Sequence, residues 1–152
     1  MDIREGGLDD PQVIDLLRLH AAGMLANSPP DSCHFLDLSG LKRPDVTFWS
    51  AWEGGELLGI GALKQLDAGH GEIKSMRTRP EHLGKGVGAH LLQKIMATAR
   101  ERGYHRLSLE TGSGEAFDAA HALYRKFGFS ECGAFGDYPE GDPFSRFMTR
   151  AL

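Results

Sequence analysis

Apolar positions along the chain fall into two spacings that predict its elements. Val13, Leu16, Leu17, His20 and Met24 recur at three- and four-residue intervals, the stripe of an amphipathic helix. Asp9 or Asp10 followed by Pro11 supplies a helix start, and 27–32, with Pro29 and Pro30, a stop. A short strand over 3–5 precedes this helix, and a second short helix over 33–41 follows it. Val46 to Trp52 is rich in β-branched and aromatic residues and reads as a strand. Gly54 and Gly55 turn the chain into a second strand, 57–66. After a turn at 67–70, residues 71–78 make a third, giving an antiparallel meander.

The period then changes. Val87, Leu91, Leu92, Ile95, Met96 and Ala99 form a helical stripe, and Gly103 stops it. A strand follows over 104–111. A helix over 115–127 carries Phe117, Ala120, Tyr124 and Phe127 on one face, with Gly128 behind it. Strands over 130–135 and 144–152 close the chain. Strand–helix–strand in this half implies a parallel crossover. The expected class is α/β (α+β): a mixed, mostly antiparallel sheet of about six to seven strands with helices on both faces.

Composition narrows the setting. The chain has 152 residues, 41% of them hydrophobic, which suits one domain over 1–152 with a real core. No run of about 18 apolar residues suggests a membrane span. The first eight residues carry Asp2, Arg4 and Glu5 and no secretory h-region. Cys33 and Cys132 make no disulfide framework, so a reduced, cytoplasmic protein is expected. Net charge is −4 with no basic stripe, which argues against nucleic acid as a partner and mildly for an amine-bearing one. The seven histidines show no metal-ligand spacing; no metal is expected, and surface positions are the simplest reading for them. Phe35, Phe48, Trp49 and Trp52 read as core, although His34 and Phe35 are also candidates for lining a pocket.

The segment Met76-Arg77-Thr78-Arg79-Pro80-Glu81-His82-Leu83-Gly84-Lys85-Gly86-Val87-Gly88-Ala89 begins on a strand and ends inside a helix. Gly84, Gly86 and Gly88 allow the backbone to approach a ligand and point N–H groups at it, and the helix start adds partial positive charge. Together they make a seat for a pyrophosphate. Neither a Walker loop nor a Rossmann fingerprint fits the spacing.

This loop resembles that of the GNAT superfamily, Gln/Arg-x-x-Gly-x-Gly/Ala between the fourth strand and the next helix. Gly86 and Gly88 match the small positions; Leu83 replaces the usual Gln or Arg, leaving Arg79 or Lys85 to supply charge. Leu123-Tyr124-x-x-x-Gly128-Phe129 resembles the family's second hallmark, with Phe117 in place of a frequent Asn. Gly71-Glu72-Ile73-Lys74-Ser75-Met76-Arg77, Leu109-Glu110-Thr111-Gly112, Leu123-Tyr124, and Tyr138 with Asp142-Pro143 are similar to a bacterial group of acetyltransferases, some labelled with a link to indole-3-acetate.

The resemblance implies an acetyl-CoA-dependent N-acyltransferase. Acetyl-CoA is the co-substrate, and the acceptor is a primary amine of a small molecule or peptide. Met76, Arg77 and Thr78 would line the pantetheine arm through their main chain. The N–H groups of Leu83, Gly84, Lys85, Gly86, Val87, Gly88 and Ala89 would hold the pyrophosphate. Thioester aminolysis needs a deprotonated amine and a proton for the leaving thiolate. Glu72, fourteen residues before Gly86, is the candidate base; a surface glutamate, or one ion-paired with Lys74, Lys64 or His70, is the bland alternative. Tyr124 is the candidate acid, against a plain core tyrosine. A non-catalytic acyl-CoA sensor and a nucleotide-binding regulator are the rival readings, and a homodimer is compatible with the sequence.

Overall fold

In the computed structural model, which describes residues 1–152, the chain runs β1 (Asp2–Glu5), α1 (Pro11–Asn27), α2 (Leu38–Leu41), β2 (Val46–Glu53), β3 (Glu56–Asp67), β4 (His70–Thr78), α3 (Val87–Glu101), β5 (Arg106–Gly112), α4 (Asp118–Lys126), β6 (Ser130–Cys132) and β7 (Ser145–Ala151). The seven strands form one sheet in the order β1-β2-β3-β4-β5-β7-β6. Every pairing is antiparallel except β4 with β5, the crossover through α3. The expected mixed, mostly antiparallel sheet is therefore present, with helices on both faces.

Each long helix follows from its local sequence. Asp10 caps α1 by accepting from the Gln12 N–H at 2.8 Å, and Pro11 sits at the first helical position, where its missing N–H costs nothing. Val13 and Leu16 then meet Phe48, Trp52, Leu57, Ile60 and Ala62 on one face of the sheet. On the other face, Leu91, Leu92, Ile95 and Met96 of α3 join Trp49, Leu63, Ile73, Leu107, Leu109 and Met148. Each fully buried leucine contributes about 1.5–3 kcal/mol of apolar transfer.

Two irregularities lie at the sheet's centre. Pairing of β4 with β5 covers only His70–Ile73 against Arg106–Leu109. Beyond Ile73 the strands part, and the outer half of β4 keeps only β3 as a neighbour. Within that half, Lys74 faces Ala62 and Arg77 faces Ile60, so Ser75 and Met76 together oppose Gly61. This is a β-bulge, and Ser75 takes a positive φ of 56° to make it.

Several expectations are corrected. Residues 33–41 are not one helix: a single 3-10 turn at Pro30–Ser32 leads into extended chain, and α2 starts only where Asp37 caps the Gly40 N–H at 2.8 Å. The helix over 115–127 divides into a 3-10 turn, Glu115–Phe117, and α4. The strand over 130–135 stops at Cys132, whose partner Phe147 is the last on β7 to pair with it. His70 belongs to β4, not to the preceding turn. Phe48, Trp49 and Trp52 are core, whereas Phe35 is half-buried. Among the histidines, His82 and His121 are buried rather than at the surface: His82 faces Glu56 at 3.0 Å, and His121 the Gly112 carbonyl at 2.8 Å. No helix is long and apolar enough to cross a membrane.

Candidate active site

The glycine loop leaves β4 at Thr78 and enters α3 at Val87. Gly86 is the helix cap in the left-handed region, with φ 81°, and no side chain caps the first turn. The N–H groups of Val87, Gly88 and Ala89 therefore keep their donor capacity at the positive end of a 15-residue helix. Gly84 also has positive φ, 78°, with open space around its Cβ position. Leu83, where the resemblance would place a Gln or Arg, points outward and is 66% exposed. Lys85 turns back to His82, with Nζ 2.9 Å from Nδ1, and Arg79 pairs with Glu81 at 3.6 Å.

α4 closes on the same region. Leu123 lies 3.1 Å from the Cβ position of Gly88, with Thr78 Oγ1 at 3.9 Å. Strand end, helix start and second hallmark thus meet at one place. Tyr124, next along, is 6% exposed and stacks edge-on with Phe129 at 5.9 Å. Burial raises its phenol pKa well above the ordinary tyrosine value.

Glu72 is 2% exposed on β4 opposite Ser108 of β5. Its Oε2 accepts from Lys74 Nζ at 3.2 Å and from the Tyr138 hydroxyl. Lys74 Nζ also reaches the Tyr138 oxygen at 2.7 Å and the His34 carbonyl at 3.1 Å. The ion pair with Lys74 is the bland alternative for Glu72, and it is present; the surface position is not, because both side chains are buried. Burial and the Glu72 charge push the Tyr138 phenol upward. Tyr138 packs against His34, Phe135 and Phe147, and Ser32 ties its loop down through Asp142 at 2.6 Å.

Two members of this face, Glu110 and His20, carry no functional signal in the sequence spacing, whereas His34 stands where a pocket-lining residue is expected. Glu110 stands one residue past the last β4–β5 pair; its Oε2 is buried without a hydrogen bond, and burial raises its pKa to about 7. His20 on α1 has a buried, unpartnered Nδ1, and burial followed by the Arg77 and Lys74 charges lowers its pKa to about 4. His34 Nε2 is likewise buried and unpartnered. The signal available was polar residues at every second position, Glu72 with Lys74 and Ser108 with Glu110, inside otherwise buried strands. A hollow of about 650 Å³ beside Gly6, Leu41 and Val46 shares no residue with this face.

Comparison with known proteins places this architecture. Residues 14–129 match the profile of the Acetyltransferase (GNAT) family. The chain is 54% identical to the uncharacterized N-acetyltransferase YsnE of Bacillus subtilis over all 152 residues, which is the full length of both. It is 51% identical to the uncharacterized N-acetyltransferase YedL of Escherichia coli over 150 residues, 99% of this chain and 94% of that one. Among solved structures, the putative acyl-CoA N-acyltransferase of Klebsiella pneumoniae superposes with a TM-score of 0.83 at 34% identity, covering 99% and 97% of the two chains. The chain belongs to the GNAT acetyltransferase family and is an acetyl-CoA-dependent N-acetyltransferase.

Proposed function

We propose that this chain, acting as one cytoplasmic domain over 1–152, transfers the acetyl group of acetyl-CoA to a primary amine of a small molecule or peptide. Transfer is by direct attack in a ternary complex. The observation that carries this reading is the continuity of three features: the parting of β4 from β5 after Ile73, the bulge at Ser75–Met76, and the uncapped α3 N-terminus at Gly86.

An extended pantetheine arm fits the unpaired edge of β4. There the main chain of Met76, Arg77 and Thr78 offers hydrogen bonds as a strand would. The pyrophosphate fits the N–H groups between Leu83 and Ala89, with Gly84, Lys85, Gly86, Val87 and Gly88 between them. The thioester carbonyl then lies near the opening, with Glu72 and Tyr138 on its acceptor side.

Attack needs a free lone pair, and an alkylammonium with a pKa of about 10 is mostly protonated at neutral pH. Glu72, whose Oε1 has no protein partner, takes that proton directly or through a water. The amine nitrogen bonds to the acetyl carbon, the carbon–sulfur bond breaks, and the thiolate receives a proton from Tyr124; the second proton lost from nitrogen restores the phenol through water, and Glu72 releases its proton to solvent. A phenol with a raised pKa stays protonated at pH 7, so the proton is in place to be donated.

Thiol release from acetyl-CoA in the presence of an amine panel tests the reading. Tyr124→Phe keeps the ring packing, so kcat should fall about 10²–10⁴-fold at nearly constant Tm. An unchanged kcat would assign sulfur protonation to water.

A further inference from the structure

We infer that the acceptor carries a carboxylate beside the amine that is acetylated, and that Arg77 and His20 receive this carboxylate. The inference rests on acetyl transfer taking place at the β4–β5 opening.

Arg77 is half-buried on β4, beyond the bulge. Its guanidinium lies against α1 at Gly23, where an added Cβ would come within 3.0 Å of one terminal nitrogen. Glycine inside a helix is destabilising. The bare position at Gly23 gives the guanidinium its seat. Unlike Arg4, Arg79 and Arg125, each paired with a carboxylate, Arg77 makes no ion pair and no side-chain hydrogen bond. A guanidinium partly withdrawn from water and lacking an anion has its fork of donors free for a planar carboxylate.

His20 stands one helical turn before Gly23. Its Nδ1 is buried with no partner, and both Arg77 and Lys74 act on its charge. Held neutral, the imidazole offers an uncharged N–H to the same anion. Lys74 makes little direct claim on a ligand carboxylate, because Glu72 already neutralises it.

The far side of the opening has the opposite character. Glu110 presents a buried carboxylate with Ser145 beside it, and Glu72, opposite Ser108, lies two β5 positions back on the same face. Lys74 and Arg77 oppose Ala62 and Ile60, two residues apart on the regular strand β3. Glu72, the amine end, opposes Lys64, four residues from Ile60 and so about 13 Å along β3 from Arg77, a span that the glutamate and the long arginine side chain narrow to that of an amino acid held between them. A polycation would set a positive group against Arg77. A free amino acid, or a short peptide with a free C-terminus, matches both ends.

Thiol release at saturating acetyl-CoA decides the matter. The panel contains each amino acid, its carboxamide and its decarboxylated amine, together with dipeptides in free and amidated form. Free carboxylates should show kcat/KM at least tenfold above their amides, and the dipeptide pairs identify which source is preferred. Arg77→Met should raise KM for carboxylate acceptors at least tenfold and erase the preference, with Arg77→Lys intermediate. Amides or simple amines that equal the carboxylates overturn the inference and leave the acetyltransferase reading intact. So does the absence of turnover with every carboxylate acceptor while acetyl-CoA binds in calorimetry. A wild-type protein that fails to bind acetyl-CoA marks failure of the site reading itself. If Arg77→Met does not fold, the wild-type ratio of acid to amide decides alone.

Discussion

Strands β4 and β5 present an apolar face to one side of the sheet and a polar face to the other. On the face toward α3, Ile73, Leu107 and Leu109 pack with Leu91, Leu92 and Ile95 in one dry cluster. On the opposite face the alternating residues are Glu72, Lys74, Ser108 and Glu110, charged or polar and largely withdrawn from water. The backbone is the same, and the period of two separates them. The apolar face accounts for the fold. A buried ion pair such as Glu72–Lys74 adds little net stability, because desolvation offsets its attraction. The proposed chemistry gives the polar face a role that stability does not, and substitutions on the two faces should separate rate from stability.

The largest effect is expected on the polar face. Glu72→Gln removes the proposed proton acceptor, and turnover at neutral pH should fall by about 10²–10⁴-fold. It also leaves Lys74 without its counter-charge, so a stability loss of up to about 3–5 kcal/mol is expected alongside. Steady-state rates normalised to the folded fraction separate the two. Wild-type rates from pH 6 to 9 would return Glu72 to a structural role.

Leu109→Ala, on the apolar face of β5, should cost about 2–5 kcal/mol of stability by leaving a cavity. Denaturant unfolding measures it. The surviving folded protein should keep its kcat, since the Leu109 side chain lies in the core cluster and only its main chain borders the opening.

A smaller effect belongs to Glu110. Its folded pKa, near 7, lies above the ordinary glutamate value, so between about pH 4.5 and 7 the native state binds more protons than the unfolded chain. Stability contributed by the neutral form is present at low pH and fades as pH rises through 7. Glu110→Gln removes that titration, and its Tm relative to wild type should climb across the window by the equivalent of about 1–2 kcal/mol. A difference that stays flat with pH would show that Glu110 titrates as an ordinary carboxylate.

What the sequence reveals follows the same division. The β2–β4 meander and the α3 stripe are legible because their apolar spacing is local and their turns carry glycine. The glycine loop is legible for the same reason. Residues 33–41 mislead because Phe35, Leu36, Leu38 and Leu41 imitate a helical spacing. In the fold, Lys74 bonds the His34 carbonyl and Cys33 Sγ lies 3.4 Å from the Met24 carbonyl, holding that stretch extended. Glu110, His20 and Arg77 come from three elements far apart in the chain. The crossover that sets Glu110 past the last β4–β5 pair is legible as strand–helix–strand, but the bulge that shifts Arg77 relative to Lys74 is recorded by no local pattern.

The central claim is that acetyl-CoA rests on the glycine loop at the parting of β4 and β5. Titration calorimetry of acetyl-CoA against Gly86→Val tests it most directly. Gly86 has φ 81°, so valine there carries backbone strain of about 1–3 kcal/mol as well as a steric block. Gly103→Val, at φ 80° beyond the far end of α3 with open space around it, imposes similar strain away from the loop and serves as the control. Gly86→Val is expected to lose at least about 100-fold in affinity, roughly 2.7 kcal/mol, while Gly103→Val binds as wild type. Equal affinities in all three proteins would contradict it.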